Sequence, residues 1–309
     1  MTEKDSSPVA SMRHVVEDCR RMLAETGQTE LRPVSAAPIP TLLEQVNAYL
    51  EAQRRQQRPA ISSLHHFACV GGTLIARCIA AMPLTHVLSE VDPLSTHGLD
   101  PSRPTFAPTD LLRHLRYCAR PVPESVILDT YRAALETLEA EFRRSGARLV
   151  VRDHNHSHYC TATDPESRPS HLSILSERFD VHGALTVRDP VESYISLVKQ
   201  GWDTFAPAGF DEYCRRYLLF LDAHQGLPIF RYEDFLADPE AELQALCRAL
   251  DLEYTPGAPD LIAAIRMTGD SGRTGRGVAP RAPKPRTEAL DQEIEASGAY
   301  QHLCARLGY

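Results

Sequence analysis

The sequence has almost no lysine. Of its 33 basic residues only three are lysines, Lys4, Lys199 and Lys284, so a site that needs positive charge must use arginine almost everywhere. The planar guanidinium of arginine can grip a phosphate through two hydrogen bonds, which keeps phosphate binding open. The net charge of −8 and the pI of about 5.9 are the opposite of the basic balance that a general nucleic-acid-binding protein shows.

Long apolar runs and paired cysteines are also missing. No run approaches the roughly 18 residues of a membrane-spanning helix. The eight cysteines are scattered without a CxxC pair, which excludes metal-finger spacing and does not fit a disulfide framework. The first residues are polar and contain no apolar signal segment. We therefore expect a cytoplasmic protein with neither a membrane nor a nucleic acid as partner.

What the sequence does contain is enough apolar residues, 43% of 309, to bury a sizeable core. Residues 1–58 predict an N-terminal helical arm, with one amphipathic helix near 12–25, a proline-rich stretch and a second helix capped by Thr41. Over residues 59–309, short apolar runs alternate with helical patterns, which is typical of an α/β domain with a parallel sheet.

The spacing of apolar and turn residues predicts the elements of this domain. Strands are predicted over 61–69, 86–88, 147–151, 184–187 and 227–230. Helices are predicted over 74–82, 110–120, 124–144, 191–200, 210–224, 239–250 and 287–307. Residues 92–109 and 268–286 are predicted to form loops.

The first candidate binding motif is the glycine turn between the first strand and its helix, formed by Gly71, Gly72 and Thr73. Glycines let backbone N–H groups converge on an oxyanion, the start of a helix adds positive potential, and Thr73 can donate a hydroxyl. The turn is not the GxxxxGK[ST] loop of kinases, because it has no lysine. A tight turn with no ligand would show the same pattern.

The second motif, Arg188-Asp189-Pro190 followed by Ser196, again lies where a strand meets a helix. Ligands of α/β sheets bind at the carboxyl ends of strands, and Arg188 follows such an end. Arg188 and Ser196 can together hold a phosphate, one by charge and the other by its hydroxyl. In the alternative interpretation, Arg188 pairs with a local acid and Asp189 simply caps the helix.

The third motif is a histidine-rich strand end. The strand delivers Arg152 and His154 to the edge of the sheet, where a histidine of near-neutral pKa can take a proton from a hydroxyl nucleophile. If the strand continues, alternation places His154, His156 and His158 on one face, which would permit a metal site. The simpler alternative is a polar loop in which these histidines bind nothing.

Two later segments carry weaker signals. Tyr232 follows the last strand and precedes two acidic residues, so its ring can stack on a base or pack in the core. Arg273 and Arg276 lie in a glycine-rich loop and can close over a phosphate, although a solvent-exposed loop without a ligand has the same composition.

In their order along the chain, these motifs resemble the P-loop-like superfamily of sulfotransferases, which use 3′-phosphoadenosine 5′-phosphosulfate (PAPS). The resemblance covers residues 61–277, rests chiefly on the RDP segment with its serine and on RYEDFLADP, and is closest to bacterial members. It implies a three-layer α/β fold, with a central parallel sheet and helices on both faces. It also implies transfer of a sulfuryl group from PAPS, the co-substrate, to a hydroxyl or amine of a small-molecule acceptor, without a metal.

The resemblance also implies cofactor-binding roles for five residues. Gly71, Gly72 and Thr73 match the loop that grips the 5′-phosphosulfate. Arg188 and Ser196 match the pair that binds the 3′-phosphate.

Further roles follow from the same resemblance. Arg152 and His154 match a basic strand end and the general base. Tyr232 matches an aromatic residue on the adenine side, and Arg273 and Arg276 match a late basic loop at the 3′-phosphate.

One position departs from the family. The lysine that the family carries in its first loop corresponds to Cys69, which supplies no charge, so His66, Arg77 and Arg152 are the candidates for its replacement. A small-molecule kinase of the P-loop type is one alternative function, and the missing lysine counts against it. A non-catalytic protein that binds a nucleotide or a protein partner is the other, and the missing lysine favours it. The sequence does not indicate the oligomeric state.

Overall fold

The structure is a computed structural model, and it describes residues 17, 21, 41, 44–47, 58–100, 102–104, 106–262, 264–268, 278 and 282–309. The chain divides into two compact units, residues 1–53 and residues 54–309. In the first unit, the backbone N–H of Glu44 donates to the Thr41 hydroxyl at 3.3 Å and the Thr41 N–H donates to the Glu44 carboxylate. These two reciprocal bonds form a capping box at the start of the helical residues 44–47, as the sequence predicts.

The second unit is built on a parallel sheet, which has five strands in the described residues, in the order β2-β3-β1-β4-β5. The strands are β1 (Ala60–His66), β2 (Thr85–Val91), β3 (Arg148–Asp153), β4 (Asp180–Val187) and β5 (Ile229–Arg231). The order reverses between β1 and β4, and such a switch point is where open α/β sheets bind ligands.

Helices connect the strands and follow the last one. They are α1 (Gly72–Ala80), α2 (Leu111–Arg116), α3 (Glu124–Arg144), α4 (Asn155–Tyr159), α5 (His171–Ser176), α6 (Pro190–Lys199), α7 (Phe210–Ala223), α8 (Tyr232–Ala237), α9 (Pro239–Ala249), α10 (Ala258–Leu261), α11 (Glu288–Ala296) and α12 (Gly298–Leu307), with a 3₁₀ turn at Pro165–Ser167. In the parts of the chain that the structure describes, none of these helices combines the length and the apolar character needed to cross a membrane.

Helices cover both faces of the sheet, and β3 shows how. Val150 packs into an apolar cluster with α1 and α9. Its neighbours Leu149 and Val151 point the other way, into a cluster with α3 and α5. Strands buried on both faces are nearly continuous in apolar residues, which is why the sequence shows short apolar runs here. The predicted three-layer α/β fold is confirmed.

Several element boundaries differ from the sequence prediction, and two of these differences have a direct physical reason. β4 begins at Asp180 rather than at residue 184, because its first residues pair with β1 through the backbone while their side chains are polar or partly exposed. The single helix predicted over 287–307 is two helices. Ser297 ends the first and caps the second, since its hydroxyl accepts the N–H of Tyr300 at 3.0 Å.

A network of buried histidines lies under the carboxyl edge of the sheet. The ring Nδ1 of His65 lies 2.5 Å from the Asp153 carboxylate, and the His224 ring packs 4.6 Å from the His65 ring. His171 shares a hydrogen bond of 2.7 Å with the hydroxyl of Tyr131. Burial lowers the pKa of His65 and of His224 to about 3, and that of His171 to about 4.

This network predicts a loss of stability in mild acid. Together with His158, whose pKa burial lowers to about 4, four histidines stay neutral in the folded chain while the unfolded chain protonates them near pH 6.5. The unfolded state therefore binds more protons below pH 6.5, and the free energy of unfolding should fall by about 1.4 kcal/mol per pH unit for each histidine until the pH reaches about 4. Asp153 opposes this, because burial raises the pKa of its carboxyl, but it is one group against four.

Urea unfolding between pH 7.5 and pH 4.5 measures the effect. His158→Gln should reduce the slope by about one proton, because the variant has no imidazole at this position to protonate on unfolding. A free energy of unfolding that stays constant over this range would contradict the burial of these rings in neutral form.

Candidate functional site

The carboxyl ends of β1, β3, β4 and β5 meet at one edge of the sheet and enclose a cavity of about 1010 Å³. Eight of the ten residues to which the resemblance gives a role line it: Gly71, Gly72, Thr73, Arg152, His154, Arg188, Ser196 and Tyr232. The other two, Arg273 and Arg276, lie outside the described residues. Residues that are up to 161 positions apart in the sequence therefore share one cavity.

The glycine turn forms the first anion-binding element of the cavity, which we call the glycine loop (residues 69–73). Gly71 has φ of +90°, and a Cβ atom placed there would lie 2.2 Å from the Tyr232 ring. A Cβ on Gly72 would lie 2.4 Å from the His66 ring. No side chain therefore fits at either position. The first N–H groups of α1 have no partner within the helix and are available to an anion.

Arg152 supports this loop. Its guanidinium is almost fully buried and donates to the Thr73 hydroxyl at 3.1 Å and to Nε2 of His66 at 3.0 Å. It also donates to the Ser89 hydroxyl at 2.7 Å, and Glu90 lies 3.6 Å away. Because a guanidinium only donates, His66 must accept, and burial together with the charge of Arg152 keeps the pKa of His66 well below its ordinary value.

Arg188 and Ser196, the arginine–serine pair, lie on the neighbouring strand end and on α6. The Arg188 guanidinium donates to the carboxylate of Glu192 at 3.1 Å and to the carbonyl of Cys69 at 3.4 Å. The second contact joins this pair directly to the glycine loop. Asp189 caps α6 by accepting the N–H of Glu192 at 2.8 Å, so the local acid pair and the helix cap both occur, and they hold Arg188 at the cavity.

Lys284 is the residue that sequence reasoning missed. It lies near the end of the predicted loop 268–286, and its ammonium is 2.6 Å from the Ser196 hydroxyl and 3.1 Å from the Glu192 carboxylate. The scarcity of lysine was the available signal, since the chain has only three lysines. Motif spacing gave no indication, because Lys284 is 88 residues from Ser196.

His154 stands at the start of α4, and its ring lies in the cavity with those of His97 and His156. Burial lowers the pKa of His154, partly offset by Glu90, so its ring is neutral near pH 7. A neutral imidazole can accept a proton.

The extended arrangement of three histidines is wrong. β3 ends at Asp153 and the chain turns into α4, whose first residue is Asn155. His156 bonds to the carbonyl of Trp202 at 3.0 Å and keeps its ring 5.7 Å from that of His154. His158 bonds instead to the carbonyl of Pro165 at 2.9 Å and does not line the cavity.

The three candidates for the missing lysine differ in their charge and in their position relative to the cavity. His66 is uncharged, because its pKa lies well below the ordinary value, and Arg77 does not line the cavity. Arg152 carries charge, but its guanidinium is already hydrogen-bonded to Thr73 of the glycine loop and to His66. Burial raises the pKa of the Cys69 thiol to about 11, so Cys69 itself is neutral.

Tyr232 packs between the two anion-binding elements. Its ring fills the space beside Gly71, and the Arg188 guanidinium lies 5.0 Å above it. The side chain is only 6% exposed, so its main contacts are with the protein. Tyr232 therefore fixes the distance between the glycine loop and the arginine–serine pair.

Comparisons with known proteins bear on the fold. The structure is similar to a sulfotransferase domain from the curacin biosynthetic pathway, with a TM-score of 0.52 at 15% sequence identity over 81% of this chain and 98% of that domain. It is also similar to the sulfotransferase of Alicyclobacillus acidocaldarius (TM-score 0.42, 16% identity, 81% and 94% of the two chains). A mouse sulfotransferase solved with 3′-phosphoadenosine 5′-phosphate (PAP) gives 0.39, at 12% identity over 84% and 94%.

No family model matches the sequence, and no curated protein matches it. The similarity to the curacin-pathway domain shows that this chain has the sulfotransferase fold. The fold that the resemblance predicts is thus confirmed.

Proposed function

We propose that this protein is a sulfotransferase that moves a sulfuryl group from PAPS to a hydroxyl, or to an amine, of a small molecule. The observation that carries the proposal is that the glycine loop and the arginine–serine pair, two elements suited to anions, open into one cavity and touch at Cys69. A nucleotide with phosphates on both the 3′ and the 5′ oxygen of one ribose has two anionic groups to place in such a pair of sites.

The residues fit this co-substrate in a definite orientation. The N–H groups of the glycine loop, with Thr73, would bind the 5′-phosphosulfate, because they start a helix and carry no side chain that would block it. Arg188 and Ser196 would bind the 3′-phosphate by a charged fork and a hydroxyl. The proposal retains Arg273 and Arg276 at the 3′-phosphate as an expectation from the resemblance.

PAPS supplies the sulfuryl group. The acceptor oxygen attacks sulfur, the bond from sulfur to the bridging oxygen breaks, and that oxygen keeps the electron pair as PAP leaves. His154 takes the proton from the acceptor hydroxyl, for which its neutral ring is suited. Arg152 and the loop N–H groups stabilise the negative charge that develops next to them.

Binding of PAP tests the proposal without knowledge of the acceptor. PAP should raise the melting temperature of the protein, since a ligand at a hundred times its Kd stabilises the folded state by about 2.7 kcal/mol. Arg188→Ala should raise the Kd of PAP by about 10- to 100-fold, because it removes a charged hydrogen-bonding group. Arg178→Ala, at an exposed arginine elsewhere, is the matched control.

The same titration separates the alternatives. Stabilisation by ATP with Mg²⁺ but not by PAP would replace the proposal by a kinase. Stabilisation by PAP without transfer from radiolabelled PAPS to any of a panel of phenols, alcohols, sugars and amines would favour a non-catalytic nucleotide-binding protein, for which the neutral Cys69 is the supporting observation.

A further inference from the structure

The segment that carries Lys284 is anchored on the first turns of α6. The backbone N–H of Lys284 donates to one oxygen of the Glu192 carboxylate at 2.9 Å, and its ammonium donates to the backbone carbonyl of Glu192 at 2.6 Å. With the bonds to the other carboxylate oxygen and to Ser196, every proton of the ammonium has an acceptor. The chain thus places a cation at the arginine–serine pair from outside the motif.

Two positive charges, those of Arg188 and Lys284, face the single negative charge of Glu192. Arg188 and Lys284 both bind the Glu192 carboxylate, and Arg188 repels Lys284. Burial acts to raise the pKa of Glu192, but the hydrogen bonds and charge of Lys284 outweigh it, so the pKa is lowered and the carboxylate stays ionised. One carboxylate therefore serves two cations.

A phosphate at the same place would provide more hydrogen-bond acceptors and more negative charge than the Glu192 carboxylate does. It has three strong acceptor oxygens and a charge near −2, whereas the carboxylate has two oxygens and a charge of −1. Ser196 already lies within hydrogen-bond distance of the ammonium, so a phosphate held by Arg188 and Ser196 is within reach of Lys284 as well.

We propose that Lys284 is a ligand of the 3′-phosphate and makes the site selective for 3′-phosphorylated nucleotides, with Glu192 holding Lys284 and Arg188 in place. This inference rests on the proposed function, because it names a residue of the same nucleotide site. The cation comes from the predicted loop 268–286 and adds a second positive charge beside Arg188 at the 3′-phosphate.

The scarcity of lysine makes a direct test possible. Brief acetylation with an N-hydroxysuccinimide ester, followed by mass spectrometry, reports each lysine of the unmodified full chain separately. PAP at about ten times its Kd should slow acetylation of Lys284 by about tenfold, because roughly a tenth of the molecules then remain free. Adenosine 5′-phosphate at about ten times its own Kd is the control, and it should leave the acetylation rate of Lys284 unchanged because it lacks the 3′-phosphate.

Substitution gives the second measurement. Lys284→Gln should raise the Kd of PAP by about 10- to 100-fold. It should change the Kd of adenosine 5′-phosphate, which lacks the 3′-phosphate, by less than about twofold. Lys284→Arg keeps the charge and should restore most of the affinity for PAP. Arg178→Ala, which does not line the cavity, should behave as the unmodified protein.

The outcomes distinguish this inference from the proposed function. Two results would show that Lys284 does not bind the 3′-phosphate while the proposed function stands. In one, PAP stabilises the protein but acetylation of Lys284 is unchanged. In the other, Lys284→Gln raises the Kd of PAP and of adenosine 5′-phosphate equally. If PAP neither stabilises the unmodified chain nor protects any lysine, the proposed function itself is overturned.

Discussion

Replacement of His154 by alanine is expected to lower the turnover number by about 10²-fold or more while the Kd of PAP changes by less than about twofold. The ring lies in the cavity, is neutral near pH 7, and has no other assigned role in holding the nucleotide. His66 cannot take over, because its Nε2 already accepts from Arg152.

The pH profile identifies the proton acceptor. Burial lowers the pKa of His154 from its ordinary value of 6.5, so the acidic decline in the rate of the unmodified enzyme should have its midpoint below pH 6.5. His154→Ala should lose this acidic decline together with most of the activity. The measurement uses radiolabelled PAPS and whichever acceptor of the panel is converted, over a pH range in which the fold is intact by circular dichroism.

His86→Ala is the control for a general effect of losing a histidine. This ring stacks on Phe142 at 4.1 Å, on the opposite end of β2 from the cavity. Activity of His154→Ala within a few-fold of the unmodified enzyme would show that another group removes the proton.

The second large effect concerns the glycine loop itself. Gly71→Ala is expected to destabilise the protein by about 3 kcal/mol and to abolish PAP-dependent stabilisation. A non-glycine residue at φ of +90° costs about 1–2 kcal/mol, and forcing a methyl group into the Tyr232 ring adds about 1–3 kcal/mol. Movement of Tyr232 away from this methyl group would also displace Arg188, whose guanidinium lies above the ring.

Gly98→Ala separates the two contributions. Gly98 also has positive φ, +70°, but a Cβ atom there meets nothing within 4 Å. Its loss of stability should be about 1 kcal/mol, from backbone strain alone. Urea unfolding with and without PAP measures both variants. Equal losses in the two variants, with PAP binding retained in Gly71→Ala, would mean that Tyr232 does not pack against the glycine loop as described.

Much of the fold could be predicted from the sequence because its signals are local. A short apolar run followed by a glycine turn and an amphipathic stretch specifies a strand, a turn and a helix within about twenty residues. Since the carboxyl ends of parallel strands share an edge, the same reasoning gathers Gly71, Arg152 and Arg188 at one place. Capping by Asp189 could be predicted for the same reason, because the contact spans three residues.

The sequence by itself therefore determined the parallel α/β fold and the identity of the residues that follow each strand. The tertiary structure alone decided which side chains touch: Lys284 reaches Ser196, Arg152 supports Thr73 from below, and Tyr232 fills the place beside Gly71. The physical reason is that periodicity records only whether a residue is buried. Contacts between residues 79 or more positions apart depend on strand order and on the packing of loops, to which no local pattern responds.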